Sequence, residues 1–152
     1  MNKVADKLYV ASCNECSADP VLGATYICCC QRPCGSFKTQ ANMPVCPIAS
    51  PAASIINIPL INTEIPPYHA VEFNRYLDLL DYHLQHGEVV LVSELGESRA
   101  PSLALLWLVF RSETLSRSSF AAARMDFSRI YPRYLPWPGW IIFFEQEWDA
   151  FR

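Results

Sequence analysis

The residues best suited to chemistry lie in the segment from Glu88 to Ser102, which reads EVVLVSELGESRAPS. An apolar strand is predicted there, followed by a short loop that ends in Gly96-Glu97-Ser98-Arg99 and by a helix that opens at Pro101. A strand–loop–helix turn of this kind directs successive backbone N–H groups into one concavity and adds the positive end of the helix dipole. The segment therefore predicts a phosphate-binding loop.

The side chains of this loop suit an anion with several oxygens. Gly96 permits a tight backbone turn, and Arg99 offers a planar fork of donors to two phosphate oxygens. The hydroxyls of Ser98 and Ser102 are expected to brace the loop. The predicted phosphate-binding residues are consecutive in the chain: Ser93, Glu94, Leu95, Gly96, Glu97, Ser98 and Arg99.

The loop resembles the signature His-Cys-x-x-Gly-x-x-Arg of the protein tyrosine and dual-specificity phosphatases, which aligns on residues 92–99 of this chain. The resemblance places Ser93 at the nucleophile position, where the family carries a cysteine that attacks as a thiolate. A hydroxyl gives up its proton far less readily than a thiol, and no candidate base lies beside Ser93 in the sequence. Val92 takes the place of the family's histidine. We therefore expect a weak nucleophile that still hydrogen-bonds an anion.

The resemblance also places Asn62 at the position of the family's general-acid aspartate, on a loop that follows the strand-like segment Asn57-Ile58-Pro59-Leu60. An amide has no proton of suitable acidity for a leaving oxygen, and the loss of a general acid typically removes a factor of about 10² to 10⁴ in rate. Glu64 is an alternative acid if the loop is shifted, although a solvated loop carboxylate is the simpler interpretation. Both chemical steps are expected to be impaired.

Two origins of these replacements are compatible with the residues. Cys to Ser and Asp to Asn are near-isosteric changes that trap a substrate in an active enzyme, but such a trap does not require Val92 in place of histidine. We therefore favour an inherited loss of catalysis. Glu94 and Glu97 favour the same origin, because two carboxylates around an anion site weaken the binding of a dianion unless both point outward.

The length of 152 residues suits a single domain over residues 1–152. A net charge of −3, scattered arginines and few lysines provide neither a nucleic-acid-binding run nor a polybasic membrane patch. The longest apolar stretch, Leu103 to Phe110, is far shorter than the roughly 20 residues of a membrane span. Asp6 and Lys7 interrupt the apolar region that a lipobox ending at Cys13 would need. We expect a cytoplasmic protein that binds neither nucleic acid nor membrane, and its oligomeric state stays open.

All seven cysteines lie in the first third of the chain. The C-x-x-C spacing of Cys13 and Cys16 suits zinc or an iron–sulfur cluster if two later cysteines complete the site. The simpler interpretation is a buried strand from Tyr26 to Cys30 that uses cysteine as a small hydrophobe, with the other thiols reduced in loops. Because a second C-x-x-C is missing, we predict no metal and no cofactor. The seven are Cys13, Cys16, Cys28, Cys29, Cys30, Cys34 and Cys46.

Hydrophobic patterning predicts an α/β fold with a central, mostly parallel sheet flanked by helices and with the ligand at the carboxyl ends of the strands. Strands are expected near residues 7–10, 25–30, 54–58 and 88–92. Helices are expected over residues 71–86, from Pro101 onward, over residues 116–129 and near the carboxyl end. Their predicted apolar positions include Val71, Phe73, Tyr76, Leu77, Leu80 and Leu84 in the first helix, and Phe120, Ala123, Met125, Phe127 and Ile130 in the third.

Two further segments complete the pattern. Residues 31–53, rich in Pro, Ser and Ala, predict a long loop that is a lid, a partner-binding segment or a poorly ordered insertion. The stretch from Arg129 to Trp148, with its Tyr-Pro break, resembles the carboxy-terminal part of bacterial dual-specificity-phosphatase-like proteins. Its Trp and Phe side chains are expected in the core. No active-site role is expected for the three histidines, His69, His83 and His86.

We interpret the chain as a phosphatase-like domain that keeps a phosphate cradle but lacks nucleophile and acid. It would bind phosphorylated protein or a small anion through Arg99, with Asn62 covering the pocket. A second hypothesis is a protein tyrosine or dual-specificity phosphatase in an inactive form, or with residual hydrolysis through Ser93. A third hypothesis omits phosphate and treats the cysteine-rich first third as an interaction or metal-binding module.

Overall fold

A computed structural model describes residues 1–31 and 54–152. Its centre is a five-stranded sheet with the strand order β1-β2-β5-β3-β4. Strands β2, β5, β3 and β4 are parallel, and β1 pairs antiparallel with β2 at one edge. The α/β fold with a mostly parallel sheet is therefore confirmed. The strands are β1 Asn2–Ala5, β2 Leu8–Ser12, β3 Thr25–Cys28, β4 Ser54–Asn57 and β5 Val89–Ser93.

The predicted helices are present, with shifted boundaries. The helix expected from Pro101 begins two residues earlier, at Arg99. The helix expected from residue 116 begins at Phe120, because the Ser119 side chain accepts a hydrogen bond from the Ala122 N–H and caps it there. The helices are α1 Cys13–Ala18, α2 Ala70–His86, α3 Arg99–Phe110, α4 Phe120–Ile130 and α5 Pro138–Glu147, followed by a 3₁₀ turn over Trp148–Ala150.

Two short elements near the amino terminus were not predicted. Strand β1 returns into β2 through a turn at Asp6 and Lys7, and Lys7 has a φ of 60°. Helix α1 follows β2 directly and is stabilised by a capping box in which Ser12 and Glu15 satisfy each other's backbone N–H groups. The Ser-x-x-Glu spacing of these two residues was the available sequence signal for the start of α1.

The sheet separates two hydrophobic clusters. On β5, Val89 and Leu91 point to the face covered by α2 to α5, whereas Val90 and Val92 point to the opposite face. In the described residues, the second face is covered by α1 with Cys13 and Cys16 and by the chain entering β3. The helices are thus distributed unequally over the two faces of the sheet.

The apolar stripe of each surface helix is narrower than predicted. Helix α2 buries Ala70, Phe73, Leu77 and Leu80, which recur every three or four residues, while Val71 lies off this stripe and is exposed. In α4, Met125 and Ile130 were predicted as apolar contacts, but both are exposed because they also lie off the buried stripe of their helix.

Helix α3 and the aromatic tail form the centre of the larger cluster. Nearly every side chain of α3 is buried, as expected for a helix packed between the sheet and other helices. The prediction that the tail aromatics lie in the core is correct for Trp140, Phe143, Phe144 and Trp148. The first three pack around Phe73 of α2, and Trp148 packs against Phe110 of α3. Trp137 is an exception, because it is 47% exposed.

The cysteines take several positions. Cys28 ends β3, and Cys29 and Cys30 follow it; all three are buried. Cys13 and Cys16 are also buried, but they lie in α1 and not in loops as expected. Within residues 1–31 and 54–152, no group of three or more His, Cys, Asp or Glu side chains has a metal-binding arrangement. The predicted long loop, with Cys34 and Cys46, lies outside the described residues apart from Gln31.

None of the helices within residues 1–31 and 54–152 is both long enough and apolar enough to cross a membrane.

Candidate phosphate-binding site

The predicted loop lies at the carboxyl edge of the sheet, where β5 ends at Ser93 and α3 begins at Arg99. Gly96, at the middle of the loop, has a φ of +66°. A Cβ atom at this position would lie 2.9 Å from the backbone N of Ser12 and 3.1 Å from the carbonyl carbon of Ala11. Glycine is therefore required both for the left-handed conformation and for the close approach of the loop to β2.

The loop carbonyl groups are occupied by hydrogen bonds from surrounding elements. By contrast, the backbone N–H groups of residues 95–98 donate to no acceptor within the described part of the chain. A row of N–H groups without an internal acceptor is suited to a bound anion. The Cys13 N–H donates to the Glu94 carbonyl oxygen at 3.3 Å, and Arg133 Nη2 donates to that of Leu95 at 3.0 Å. The Tyr131 O–H donates to the Gly96 carbonyl oxygen at 2.6 Å. The Leu135 N–H donates to that of Glu97 at 2.8 Å, and the Ser102 N–H donates to that of Ser98 at 2.9 Å.

Arg99 is buried at the start of α3, with 8% of its surface exposed. Its Nη1 donates to the Leu60 carbonyl oxygen at 2.8 Å, and its Nη2 donates to the Glu94 carboxylate. Its Nε is buried and has no hydrogen-bond partner in the described residues. An unpartnered buried donor is costly, so this Nε is a position where an acceptor from a ligand would be stabilising.

The Glu94 side chain does not point in the direction assumed from the sequence. The predicted repulsion assumed a carboxylate directed at the ligand, but Glu94 forms an ion pair with Arg99. Its other carboxylate oxygen accepts the Gln31 backbone N–H at 3.1 Å. Glu94 thus occupies part of the guanidinium group that was predicted to bind an anion, whereas Glu97 lines the pocket described below.

Ser93 is almost fully buried at the end of β5, with 2% of its surface exposed. Its Oγ accepts a hydrogen bond from the Ala100 N–H at 3.4 Å. Among the residues described around the pocket, none is a histidine. His83 and His86 lie in the last turn of α2, as expected, and His69 caps its start. The geometry therefore supplies no histidine base for Ser93.

Cys29, whose backbone N–H donates to the Val92 carbonyl oxygen at 2.7 Å, is a thiol to consider in place of a nucleophile. It lies in the core, and burial raises its pKa to about 12, with a smaller opposing effect from the Arg99 charge. A thiol with this pKa stays protonated at neutral pH, and thiolate is the nucleophilic form. Cys29 is thus a structural residue and does not replace the cysteine that Ser93 lacks.

Asn62 faces the same pocket as Ser93 and Arg99. Its Oδ1 accepts the Trp140 Nε1–H at 2.9 Å, and because an indole nitrogen can only donate, this contact fixes the orientation of the amide. Helix α5 packs closely on this loop, since a Cβ on Gly139 would lie 1.9 Å from the Thr63 carbonyl oxygen. Glu64 is exposed and does not line the pocket, so the geometry does not support it as a substitute acid.

The loop and the Asn62 segment enclose a pocket of about 530 Å³. Four polar residues proposed from the sequence meet there, namely Asn62, Ser93, Ser98 and Arg99, together with Leu95 and Glu97. The remaining lining residues were not predicted from the sequence, because the aromatic tail was assigned to the core. The Pro136-Trp137-Pro138 break between α4 and α5 was the sequence signal that could have indicated them. The missed residues are Arg124, Leu135, Pro136, Trp137, Pro138 and Ile141.

The serine hydroxyls connect the loop to the segment between α4 and α5. Ser98 Oγ accepts the Trp137 N–H at 2.9 Å, and Ser102 Oγ is hydrogen-bonded to the Tyr134 hydroxyl at 2.9 Å. Burial raises the pKa of Tyr134, more than the Ser102 contact lowers it, so this hydroxyl remains protonated. The two serines therefore brace the loop, as predicted, but through the tail and not through the loop itself.

Neither a protein-family model nor a curated protein matches the sequence. Solved structures match nearly the whole chain. Human tyrosine phosphatase-like serine/threonine/tyrosine-interacting protein has a TM-score of 0.71 at 17% identity, covering 99% of this chain and 95% of that one. Human DUSP28 has a TM-score of 0.70 at 18% identity, covering 97% and 92%. The Yvh1 phosphatase domain from Chaetomium thermophilum has a TM-score of 0.66 at 14% identity, covering 95% and 91%. The chain therefore has the fold of the dual-specificity and tyrosine phosphatases.

Proposed function

We propose that this chain is a phosphatase-like domain that binds a phosphorylated protein through residues 93–99 without hydrolysing it efficiently. The observation that carries the proposal is the buried Nε of Arg99, which has no partner in the described residues; the backbone N–H groups of residues 95–98 also have no acceptor there. A phosphate oxygen would accept from both kinds of donor. The positive end of α3 adds a favourable potential for the same anion.

The residues at the catalytic positions support binding more than turnover. Among the described residues, no histidine lines the pocket with Ser93, and the Ser93 hydroxyl accepts a hydrogen bond from the Ala100 N–H. Asn62 has no acidic proton, and its carbonyl oxygen is held by Trp140. Because Ser93 is not activated and position 62 carries no general acid, phosphoryl transfer from a bound ester to Ser93 is expected to be slow. A bound phosphate ester would consequently persist.

The pocket is large enough for more than an inorganic anion. Its volume of about 530 Å³ falls in the range of sites that bind small molecules or side chains, roughly 300–1,000 Å³. Leu135, Pro136 and Trp137 supply an apolar wall next to the polar floor. A phosphorylated side chain with an apolar stem fits this combination of surfaces, so we favour phosphoprotein over free phosphate as the ligand.

Two of the similar structures are compatible with this proposal. One was solved as a complex of a mouse putative dual specificity phosphatase with zinc tungstate, and tungstate is a tetrahedral oxyanion like phosphate. Another is described as a tyrosine phosphatase-like interacting protein. We further propose that residues 1–152 act as one domain and that binding takes place in the cytoplasm.

The test is a titration with phosphate, tungstate and a phosphotyrosine peptide, followed by thermal shift and by isothermal calorimetry. Saturable binding that is lost in Arg99→Ala and weakened at least about tenfold in Arg99→Lys is expected, because lysine keeps the charge but not the fork. Arg129→Ala, on the surface of α4, is the matched control. Circular dichroism checks that the Arg99 variants fold. Equal binding by folded Arg99→Lys and the parent protein would overturn the proposal.

A further inference from the structure

Arg124 is a cation of the pocket to which neither the sequence signature nor the proposed function assigns a role. It lies on α4, is half-buried, and lines the pocket together with Asn62, Ser93 and Arg99. Arg124 also borders a neighbouring surface depression that includes Met125 and Glu145. Arg124 therefore lines both cavities.

Arg124 lacks a carboxylate partner in the described part of the chain. The other described arginines that are at least half-buried are paired: Arg99 with Glu94, and Arg111 with Asp78 and Asp81. The residues three and four positions from Arg124 along α4 are not acidic. A partly buried guanidinium without a counter-ion favours an external anion.

The same pocket is therefore lined by two arginines. Arg99 keeps an unpartnered Nε, and Arg124 also lines the adjoining depression. A single phosphate group held by Arg99 and the loop would leave Arg124 available to a second anion. The apolar side chains of Leu135 and Trp137, which are 63% and 47% exposed, favour a ligand with an apolar stem over a fully polar sugar phosphate.

We propose that the ligand is a phosphorylated polypeptide segment with a second anionic group, which Arg124 binds. This inference rests on the proposed function, since it concerns the same pocket. The first phosphate occupies the loop and Arg99, and the second anion, a phosphate or a carboxylate of the same segment, pairs with Arg124. Glu97 and Glu145, the carboxylates that line the pocket and the adjoining depression, repel such an anion and restrict it to positions close to Arg124.

The test compares peptides of one sequence that carry either a single phosphotyrosine or a phosphotyrosine plus one phosphoserine. The second phosphate is placed one, two or three residues before or after the first. The measured quantity is the ratio of the two dissociation constants at fixed ionic strength. In the parent protein at least one spacing is expected to bind about 3- to 30-fold more tightly than the singly phosphorylated peptide.

Two variants on α4 decide the origin of that gain. Arg124→Gln is expected to reduce the ratio to about one. Arg129→Gln, on the same helix and paired with Asp126, is expected to keep it. A ratio near one at every spacing in the parent protein, or an unchanged ratio in Arg124→Gln, would overturn the inference. Failure of the proposed function would give a different result. The singly phosphorylated peptide would then bind equally well to the parent protein and to the Arg99 variants.

Discussion

The Glu94 carboxylate forms an ion pair with the Arg99 guanidinium, so an acidic residue of the loop occupies one of the donors that the loop would offer to phosphate. Glu94 is held in this position by the Gln31 backbone N–H. The pair removes the negative carboxylate from the centre of the loop but reduces the number of free donors on Arg99. We therefore expect anion affinity to be set by competition between this internal carboxylate and an external anion.

Neutralising Glu94 is expected to strengthen anion binding. Glu94→Gln keeps an oxygen acceptor for the Gln31 N–H but removes the negative charge next to Arg99. We expect phosphate or tungstate to bind roughly tenfold more tightly, which corresponds to about 1.4 kcal/mol. Calorimetric titration measures the change. Glu64→Gln, which removes an exposed charge outside the pocket, serves as the control and should bind as the parent does. Unchanged affinity in Glu94→Gln would show that the ion pair does not oppose the ligand.

The same ion pair is expected to limit how much activity is gained when Ser93 and Asn62 are replaced by the phosphatase-family residues. The double variant Ser93→Cys with Asn62→Asp restores a thiol and a carboxyl, yet leaves Arg99 bound to Glu94. We expect slow hydrolysis of p-nitrophenyl phosphate by this variant and a further rise of about tenfold or more when Glu94→Gln is added, because Arg99 is then free to stabilise the transition state. Initial rates with purified proteins provide the comparison. If the triple variant has no activity above the parent, the hypothesis of a merely disabled phosphatase is wrong.

The main features of the fold followed from local patterns. The continuous apolar run before Ser93 and the helical segment after it are properties of neighbouring residues, so the strand–loop–helix unit was predictable. The parallel sheet followed from the alternation of strands and helices. Helix α1 was missed because its six residues are too few for a clear helical periodicity, and β1 was missed because its segment Asn2–Ala5 contains two polar residues and no continuous apolar run.

The candidate site was only partly predictable, because much of it is assembled by tertiary contacts. Trp137 and Arg124 reach the pocket from the tail and from α4, and no local pattern indicates which face of α4 meets the loop. The orientation of the Asn62 amide depends on Trp140, which is 78 residues away in the chain. Whether Glu94 repels an anion or pairs with Arg99 depends on side-chain direction, which the spacing of residues does not determine.

Gly96→Ala is expected to destabilise the protein and to disturb the loop. The substitution places a methyl group in a left-handed conformation and within 2.9 Å of the Ser12 backbone nitrogen. Gly23→Ala is the matched control, because Gly23 also has a positive φ, of 77°, but nothing lies within 4 Å of its Cβ position. We expect a loss of about 1 kcal/mol for Gly23→Ala and roughly 2–4 kcal/mol for Gly96→Ala. Urea unfolding followed by tryptophan fluorescence measures both. Equal losses would indicate that backbone conformation, and not the contact with β2, requires glycine at position 96.

The acid stability of the protein is expected to depend on Glu15, which is linked to the loop through Arg133. Arg133 donates to the Glu15 carboxylate at 2.6 Å and to the Leu95 carbonyl oxygen at 3.0 Å. Burial by itself would raise the pKa of Glu15. Hydrogen bonds from the Met1 amino group, Arg133 and Ser12 outweigh that effect and lower the pKa from 4.5 to about 2.

Because the folded state lowers this pKa, the ionised carboxylate stabilises the fold above pH 4.5, and the contribution is lost as the pH falls from about 4.5 to about 2. After allowance for solvent screening, Glu15→Gln should cost roughly 1–2 kcal/mol at pH 7 and should show a weaker decline in stability over that acidic range. Urea unfolding at pH 7, 5 and 3 measures both effects. Asp19→Asn, an exposed position just after α1, should retain the decline of the parent protein. A Glu15→Gln variant that declines as steeply as the parent would contradict this role, since the acid-sensitive group would then lie elsewhere.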